Sequence, residues 1–185
     1  HKELSTKERI IETTTNVLQT LKYPLLGLLG ALVVFIIVYV IVTEVRADRI
    51  ERSTQIVESI EDDFNDWLGT EAEEERDALG ADILDRISSL LNGYPRYYAA
   101  QRALHIRGRL FFRTGAWEQS KESFVEIADR FPSSYLAPVS LVNAATAMEE
   151  AGRIDDAIAL LARVTEEFET PETPAVLFSL GRLSE

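Results

Sequence analysis

Basic side chains recur at helical spacing in one segment of the chain. Four of them follow one another at intervals of three, four and four residues, with Phe112 beside the last: Arg102, His105, Arg109 and Arg113. In a helix, these intervals place the side chains on one face. A guanidinium group pairs with a carboxylate through two parallel hydrogen bonds, so this face can bind an acidic segment or a C-terminal carboxylate. The alternative is that the arginines pair with acidic side chains of the protein itself.

Residues suited to catalysis or metal binding are scarce. The chain has no cysteine, and His105 is its only histidine besides His1. Neither glycine-rich pattern that binds phosphate groups is present, and the acidic stretch EDDFND lacks the central glycine of a calcium loop. We interpret the acidic run EAEEE as the first turn of a helix, with metal binding as the alternative. We therefore predict a protein that is not an enzyme and has no cofactor, metal or disulfide.

The chain is acidic, and most of its acidic residues follow residue 43. Its formal net charge is −12, and residues 44–185 contain 15 lysines and arginines against 28 aspartates and glutamates. A surface of this sign repels the phosphates of nucleic acids and of anionic lipids. The expected partners are therefore proteins or peptides, with no nucleic acid.

One uncharged segment is long enough to cross a membrane. Residues 23–43 contain no charged side chain, and 14 of these 21 residues are Leu, Val, Ile or Phe. A helix of this length spans the roughly 30 Å hydrocarbon core of a bilayer. A buried core helix and a cleaved signal peptide are the alternatives. The positive-inside rule does not settle the orientation, because three basic residues flank the segment on each side: Lys7, Arg9 and Lys22 before it, and Arg46, Arg49 and Arg52 after it.

Local patterns divide the chain into four parts. The capping pattern that starts at Ser5 predicts a short helix within an N-terminal tail, residues 1–22, and Pro24 is expected in the first turn of the transmembrane helix, residues 23–43. A helical connector that caps the repeats is expected over residues 44–93, followed by the repeats over residues 94–185. The connector carries two apolar faces and a second capping pattern at Thr70: Ile56, Ile60, Phe64 and Trp67, then Leu79, Ile83, Ile87, Leu90 and Leu91.

The C-terminal half of the chain repeats itself. A shift of 37 residues superimposes GAWEQSKESFVEIADRF on GRIDDAIALLARVTEEF, and a further helical pattern precedes each initial glycine. Each unit is therefore a pair of helices joined by a turn that contains glycine. One such pair cannot bury both of its faces, so the units must stack on one another.

These units resemble the tetratricopeptide repeat. The resemblance covers about residues 95–185, with two full repeats and the start of a third, and it departs from the family pattern at Arg107, Ser120 and Glu169. It implies an all-α fold, in which a single transmembrane helix is followed by an α-solenoid of helix pairs. It also implies that the basic face described above lines a concave groove. The residues that match the pattern, and are expected to pack the repeats, are Leu104, Gly108, Phe111, Gly115, Trp117, Phe124, Pro132, Gly152, Ala157, Leu161 and Gly181.

The layout of the chain, together with the Tyr98-Ala99-Ala100 stretch, is similar to the single-pass bacterial family of the ancillary Sec translocon subunit. That resemblance implies an inner-membrane protein with a cytoplasmic N-terminus and periplasmic repeats that bind chaperones or envelope proteins. The predicted function is thus a membrane-anchored scaffold for protein–protein interactions. The alternative is a structural subunit of a large envelope machine, such as a secretion or flagellar-motor assembly, whose copies associate through the open third repeat.

Overall fold

A computed structural model describes residues 6–169 and 173–183, and these two ranges contain helices and turns but no strand. Seven helices are assigned within them: α1 (Thr6–Gly69), α2 (Glu73–Gly93), α3 (Tyr98–Arg113), α4 (Trp117–Arg130), α5 (Leu136–Glu150), α6 (Ile154–Glu167) and α7 (Thr173–Leu183). The all-α fold class predicted from the sequence is confirmed. Ser5, which is predicted to cap the first helix, lies outside the described residues.

The first helix, α1, contains the apolar segment. By length and composition it is the one helix in the described part of the chain that can cross a membrane. Its large apolar side chains between Leu26 and Val42 are 42% to 71% exposed, unlike those of a core helix. Pro24 lies inside α1 and not in its first turn, which corrects the predicted helix start. The φ angle of about −65° that the ring imposes is a helical value, but a proline inside a helix also removes one backbone hydrogen bond.

The chain divides into two compact units, His1–Asp48 and Arg49–Glu185. In the part of the chain that the structure describes, every buried side chain belongs to the second unit, from Ser53 to Val176. The finer division into tail, span, connector and repeats stays a prediction.

The second unit contains two hydrophobic clusters. One joins the C-terminal part of α1 to α2 and α3, and it includes Phe64 and Ile87, which are fully buried. The other joins α4, α5, α6 and α7 and takes in Leu104 from α3. The two apolar faces predicted for the connector are the faces that pack in the first cluster. Within these faces, Ile56, Leu79 and Leu91 are only partly buried.

The second predicted capping pattern is wrong. The residue that precedes α2 is Ala72, and it makes no side-chain capping hydrogen bond. The Thr70 hydroxyl instead donates to the Asp66 carbonyl at 2.9 Å, so it satisfies the end of α1 and not the start of α2. The acidic first turn is confirmed, with Glu73, Glu74 and Glu75 at the end of the helix dipole that favours negative charge.

The two turns within the repeats have one geometry. Gly115 and Gly152 adopt φ values of 72° and 71°, in the left-handed region that glycine enters without steric penalty. The amide of the residue after each glycine donates to a carbonyl five residues earlier in the chain: Ala116 to Phe111 at 2.9 Å, and Arg153 to Met148 at 2.8 Å. The glycine amide itself donates to the carbonyl three residues before it. This pair of bonds is the Schellman motif that ends α3 and α5, and it repeats at the 37-residue offset found in the sequence.

Close approach of α3 to α4 depends on one small residue. A Cβ atom on Gly108 would lie 2.7 to 2.9 Å from three ring atoms of Phe124, so only glycine fits against this ring. The buried Ser120 hydroxyl adds a hydrogen bond to the Gly108 carbonyl at 2.9 Å. Ala145 stands 37 residues after Gly108 and is also buried, so a small residue recurs at this position in the next repeat.

Candidate functional site

The predicted basic face of α3 borders a groove between α3 and α5. The groove has a volume of about 490 Å³. Four of the five predicted groove residues line it: His105, Arg109, Phe112 and Arg113. The remaining lining residues are Phe124 from α4 and Asn143 and Thr146 from α5.

Helical spacing on both walls explains why these residues meet. On α3 the lining positions advance by four, three and one residues, so they stay on one side of the helix. On α5, Asn143 and Thr146 stand three residues apart, and Thr146 lies 37 residues after Arg109. The two walls therefore come from equivalent helices of successive repeats, and Arg109 and Thr146 occupy equivalent positions in them.

The fifth predicted groove residue, Arg102, is neutralised by the protein itself. Its guanidinium forms an ion pair with the Glu61 carboxylate of α1 and lies 4.0 Å from the Glu58 carboxylate. Arg102 lines a smaller cavity beside the groove and not the groove itself. Arg102 therefore follows the alternative interpretation of the sequence, in which the arginines pair with acidic side chains of the protein itself.

Arg109 and Arg113 differ from Arg102, because neither has a carboxylate partner among the residues that the structure describes. The Arg109 guanidinium lies over the ring of Phe64, 4.8 Å from its centre, and this cation–π contact orients the side chain without cancelling its charge. Arg113 is exposed at the end of α3. The groove therefore contains two guanidinium groups whose charges are not balanced locally.

His105 forms part of the groove wall without adding charge at neutral pH. Its ring packs edge to face against Phe124 at 5.6 Å between ring centres. Burial lowers the pKa of His105 below its usual value of 6.5, and the positive charge of Arg109 lowers it further. The neutral imidazole offers one hydrogen-bond donor and one acceptor to a ligand.

Most of the residues expected to pack the repeats do so. Leu104, Phe124, Ala157 and Leu161 are buried, as is Gly108, while Phe111 and Trp117 are partly buried against the hydrophobic clusters. Gly115 and Gly152 form the turns. Two of the expected packing residues do not pack. Pro132 is exposed because it lies in the turn after α4, and no described atom lies within 4 Å of a Cβ built on Gly181.

Asn143 and Thr146 are groove residues that sequence reasoning missed. Neither carries charge, so neither stands out as a binding residue in a search for basic or acidic patterns. The 37-residue repeat could have pointed to Thr146, because it maps Arg109 onto that position. It maps Ile106 onto Asn143, and Ile106 is not part of the predicted basic face, so no sequence signal pointed to Asn143.

One departure from the repeat pattern has a structural explanation. Arg107, where the pattern has a leucine, donates to the Ser123 hydroxyl at 3.0 Å and to the Glu126 carboxylate at 2.6 Å. These bonds join α3 to α4 on the side of α3 that does not line the groove. Arg107 therefore replaces an apolar contact between the two helices with a polar one.

The arrangement in the groove is suited to binding an anion. Two guanidinium groups and the Asn143 amide are hydrogen-bond donors, whereas the Thr146 hydroxyl already donates to the Val142 carbonyl at 3.0 Å. The rings of Phe112 and Phe124 supply apolar contact area. Across the described ranges, no group of three His, Asp or Glu side chains is placed to hold a metal ion. The groove can thus bind a carboxylate that is attached to an apolar or aromatic group.

Comparison with known proteins supports the repeat assignment. The tetratricopeptide-repeat family matches residues 140–170, which contain most of α5 and all of α6. A curated relative described as a TPR repeat-containing protein, from Treponema pallidum (strain Nichols), is 34% identical over 76 residues, or 41% of this chain. The chain spans about a third (32%) of the length of that relative. No solved structure matches the chain. These similarities support a tetratricopeptide-repeat protein, a class whose repeats typically mediate protein–protein interactions.

Proposed function

We propose that this chain is a membrane-anchored scaffold for protein–protein interactions in the bacterial envelope, and that its groove binds an acidic segment or a C-terminal carboxylate of a partner. The observation that carries the proposal is the pair Arg109 and Arg113. Both border a groove of about 490 Å³, and neither has a carboxylate partner in the described ranges, although the net charge of the chain is −12.

The strong overall acidity is compatible with an acidic ligand. At physiological ionic strength, exposed charges more than about 8 Å apart are largely screened from one another. A carboxylate in the groove therefore interacts mainly with the two guanidinium groups beside it, and only weakly with distant acidic side chains. Because an exposed ion pair alone contributes only up to about 1 kcal/mol, the proposal also requires apolar contact with Phe112 and Phe124.

Peptide binding to the full chain in detergent tests the groove. We expect a fluorescently labelled peptide with three glutamates to bind the wild-type protein, and Arg109→Ala with Arg113→Ala to weaken binding by about tenfold or more. The matched control is Arg153→Ala with Arg163→Ala, which also removes two positive charges but outside the groove. Arg153 pairs with Glu118 and Asp156, and Arg163 pairs with Asp129 and Glu167. Equal affinity for the wild type and the double variant would refute the groove assignment.

The exposed apolar side chains of α1 support the membrane anchor. We expect the full chain to stay in the membrane fraction after extraction with alkaline carbonate, and a variant without residues 23–43 to be released. Release of the full chain would contradict the anchor. The cytoplasmic N-terminus and periplasmic repeats rest on the resemblance in layout, and protease protection of the repeats in intact cells tests them.

A second candidate function is a structural subunit of a large envelope assembly. One observation favours it: on α7, the side chains of Leu177 and Phe178 are 56% and 75% exposed, so this helix has an apolar face that can contact a further copy. Native mass spectrometry in detergent separates the two functions. A monomer supports the scaffold, whereas a ring or another complex of fixed stoichiometry supports the structural subunit.

A further inference from the structure

A second cavity adjoins the groove on the side of Tyr98. It has a volume of about 260 Å³, and His105 lines both spaces, so its side chain lies at the border between them. Its other lining residues come from α1, α3, the turn before α5 and α5 itself: Glu61, Tyr98, Arg102, Ile106, Tyr135 and Leu136. The two spaces lie one after the other along α3, from Arg113 to Tyr98, and we refer to them together as the trench.

Two tyrosines from successive repeats close the far end of this trench. The hydroxyl oxygens of Tyr98 and Tyr135 lie 2.7 Å apart, and the two residues are separated by 37 positions. Both side chains are accessible, at 48% and 70% exposure. The hydrogen bond to Tyr135 raises the pKa of Tyr98, and partial burial raises it further, so the phenol keeps its proton.

The hydroxyl pair has unused hydrogen-bonding capacity. Each phenol has one donor and can also accept, and the single bond between the two uses only one of the two hydrogens. The pair can therefore donate one hydrogen bond to a ligand and accept others. A hydrogen bond between this pair and a ligand amide replaces the bond that the amide makes to water, so the amide does not become unpaired when the ligand binds.

Charge changes along the trench. The Arg113 end contains two guanidinium groups without a carboxylate partner in the described ranges, and His105 at the midpoint is neutral at pH 7. Beyond His105, the charge of Arg102 is balanced by Glu61, with Glu58 at 4.0 Å. A second acidic group of a ligand would therefore find no unbalanced positive charge at the tyrosine end, whereas an uncharged polar group suits this end.

We infer that the Tyr98–Tyr135 hydroxyl pair forms a second subsite, which binds an uncharged amide or hydroxyl side chain of the same peptide whose acidic residues contact Arg109 and Arg113. The inference rests on the proposed function of the groove. From Tyr98 to Arg113 the helix rises about 22 Å, at 1.5 Å per residue. An extended peptide covers this distance with about six or seven residues. The ligand is therefore a segment of at least that length, acidic at one end and polar without charge at the other.

Three synthetic peptides with blocked ends test the subsite on the full chain in detergent. One contains three glutamates; the second has three glutamates followed by glycine and two glutamines; the third is the second in reverse order. We expect one of the longer peptides to bind about tenfold more tightly than the short one, because it reaches both ends of the trench. The order that binds more tightly reports the direction of the bound chain.

Variants that remove the tyrosine hydroxyls but keep the aromatic rings test whether the hydroxyls cause the higher affinity of the longer peptide. Tyr98→Phe with Tyr135→Phe should remove the gain of the longer peptide and leave the affinity for the short peptide unchanged. Tyr97→Phe is the matched control, since Tyr97 packs against Tyr94 and does not line the trench. Far-UV circular dichroism and urea midpoints of the variants should match the wild type.

The outcomes separate this inference from the function on which it rests. Equal affinities for all three peptides, or a gain that survives in the double phenylalanine variant, would overturn the second subsite while the groove stands. Failure of the short peptide to bind the wild type would overturn the groove, and the subsite with it.

Discussion

Gly108 is the residue at which side-chain size has the largest expected effect on stability. A Cβ atom there would lie within 2.9 Å of the Phe124 ring, which is itself buried and cannot move away freely. We expect Gly108→Ala to lower the free energy of unfolding by about 1–2 kcal/mol, because overpacking outweighs the gain in helix propensity. Larger side chains at this position should cost more. Urea unfolding of the full chain in detergent, followed by circular dichroism, measures the change.

A second helical glycine provides the control for Gly108. Gly181 lies in α7, and a Cβ there would meet no described atom within 4 Å. We expect Gly181→Ala to leave stability unchanged or to raise it by up to about 1 kcal/mol. If both substitutions had the same effect, the close contact between Gly108 and Phe124 would not be the cause.

His105 makes stability depend on pH. Its lowered pKa means that the unfolded chain binds a proton more readily than the folded one, so stability falls as the pH drops from 6.5 through the lowered value. We expect His105→Gln to reduce the loss of unfolding free energy between about pH 7.5 and pH 5.5. Urea titrations of both proteins at the two pH values measure this, and identical losses would contradict it.

Sequence reasoning could predict the basic face of α3 but not which of its arginines are neutralised. The spacing of the residues is local, whereas the partner that separates Arg102 from Arg109 is Glu61, which lies 41 residues earlier in the chain. Glu61 reaches Arg102 because α1 packs beside α3, and no spacing rule shows this. Tyr98 and Tyr135 do stand at the 37-residue offset of the repeat, but the offset alone does not show that their hydroxyls meet.

At the scale of the helices, the backbone conformation of the two glycine turns restricts which residues can occupy them. Both glycines have φ near 70°, where a side chain on an L-residue is strained. We expect Gly152→Ala to lower the free energy of unfolding by about 1 kcal/mol, and Gly152→Asn to lower it less, because asparagine tolerates this conformation. Urea unfolding measures both variants.

The corresponding substitution at Gly115 checks the cause of that loss. Because the two turns share their φ angles and hydrogen bonds, Gly115→Ala should cost about as much as Gly152→Ala. A neutral result at either position would show that the surroundings of the turn, and not its backbone, set the cost.

The helix pairs of the repeats were predictable from the sequence because glycine position and apolar spacing agree in both units. The ends of α1 and α2 were not predictable by the same means. A threonine followed three residues later by glutamate matches the capping pattern, but the hydroxyl of Thr70 bonds backwards to Asp66. Pro24 likewise fits a first turn locally, yet α1 starts 18 residues earlier, at Thr6.

At the scale of the whole molecule, the second unit should fold without the first. All buried side chains of the described ranges lie between Ser53 and Val176. We therefore expect residues 49–185, expressed alone, to be helical by circular dichroism, to unfold cooperatively in urea and to keep the peptide affinity of the full chain. A gradual unfolding transition would show that the core depends on residues before Arg49.

The shared geometry of the glycine turns makes the two loops interchangeable. Deletion of residues 116–152 would splice Gly115 directly onto Arg153, and the backbone at the junction would be the same as in the parent protein. Leu161 would then take the place of Phe124 beside Gly108, and Arg107 would meet Leu160 and Arg163 in place of Ser123 and Glu126. A chain shortened or lengthened by one unit thus needs no new loop, and its design reduces to the side chains that meet at the new contact between helices.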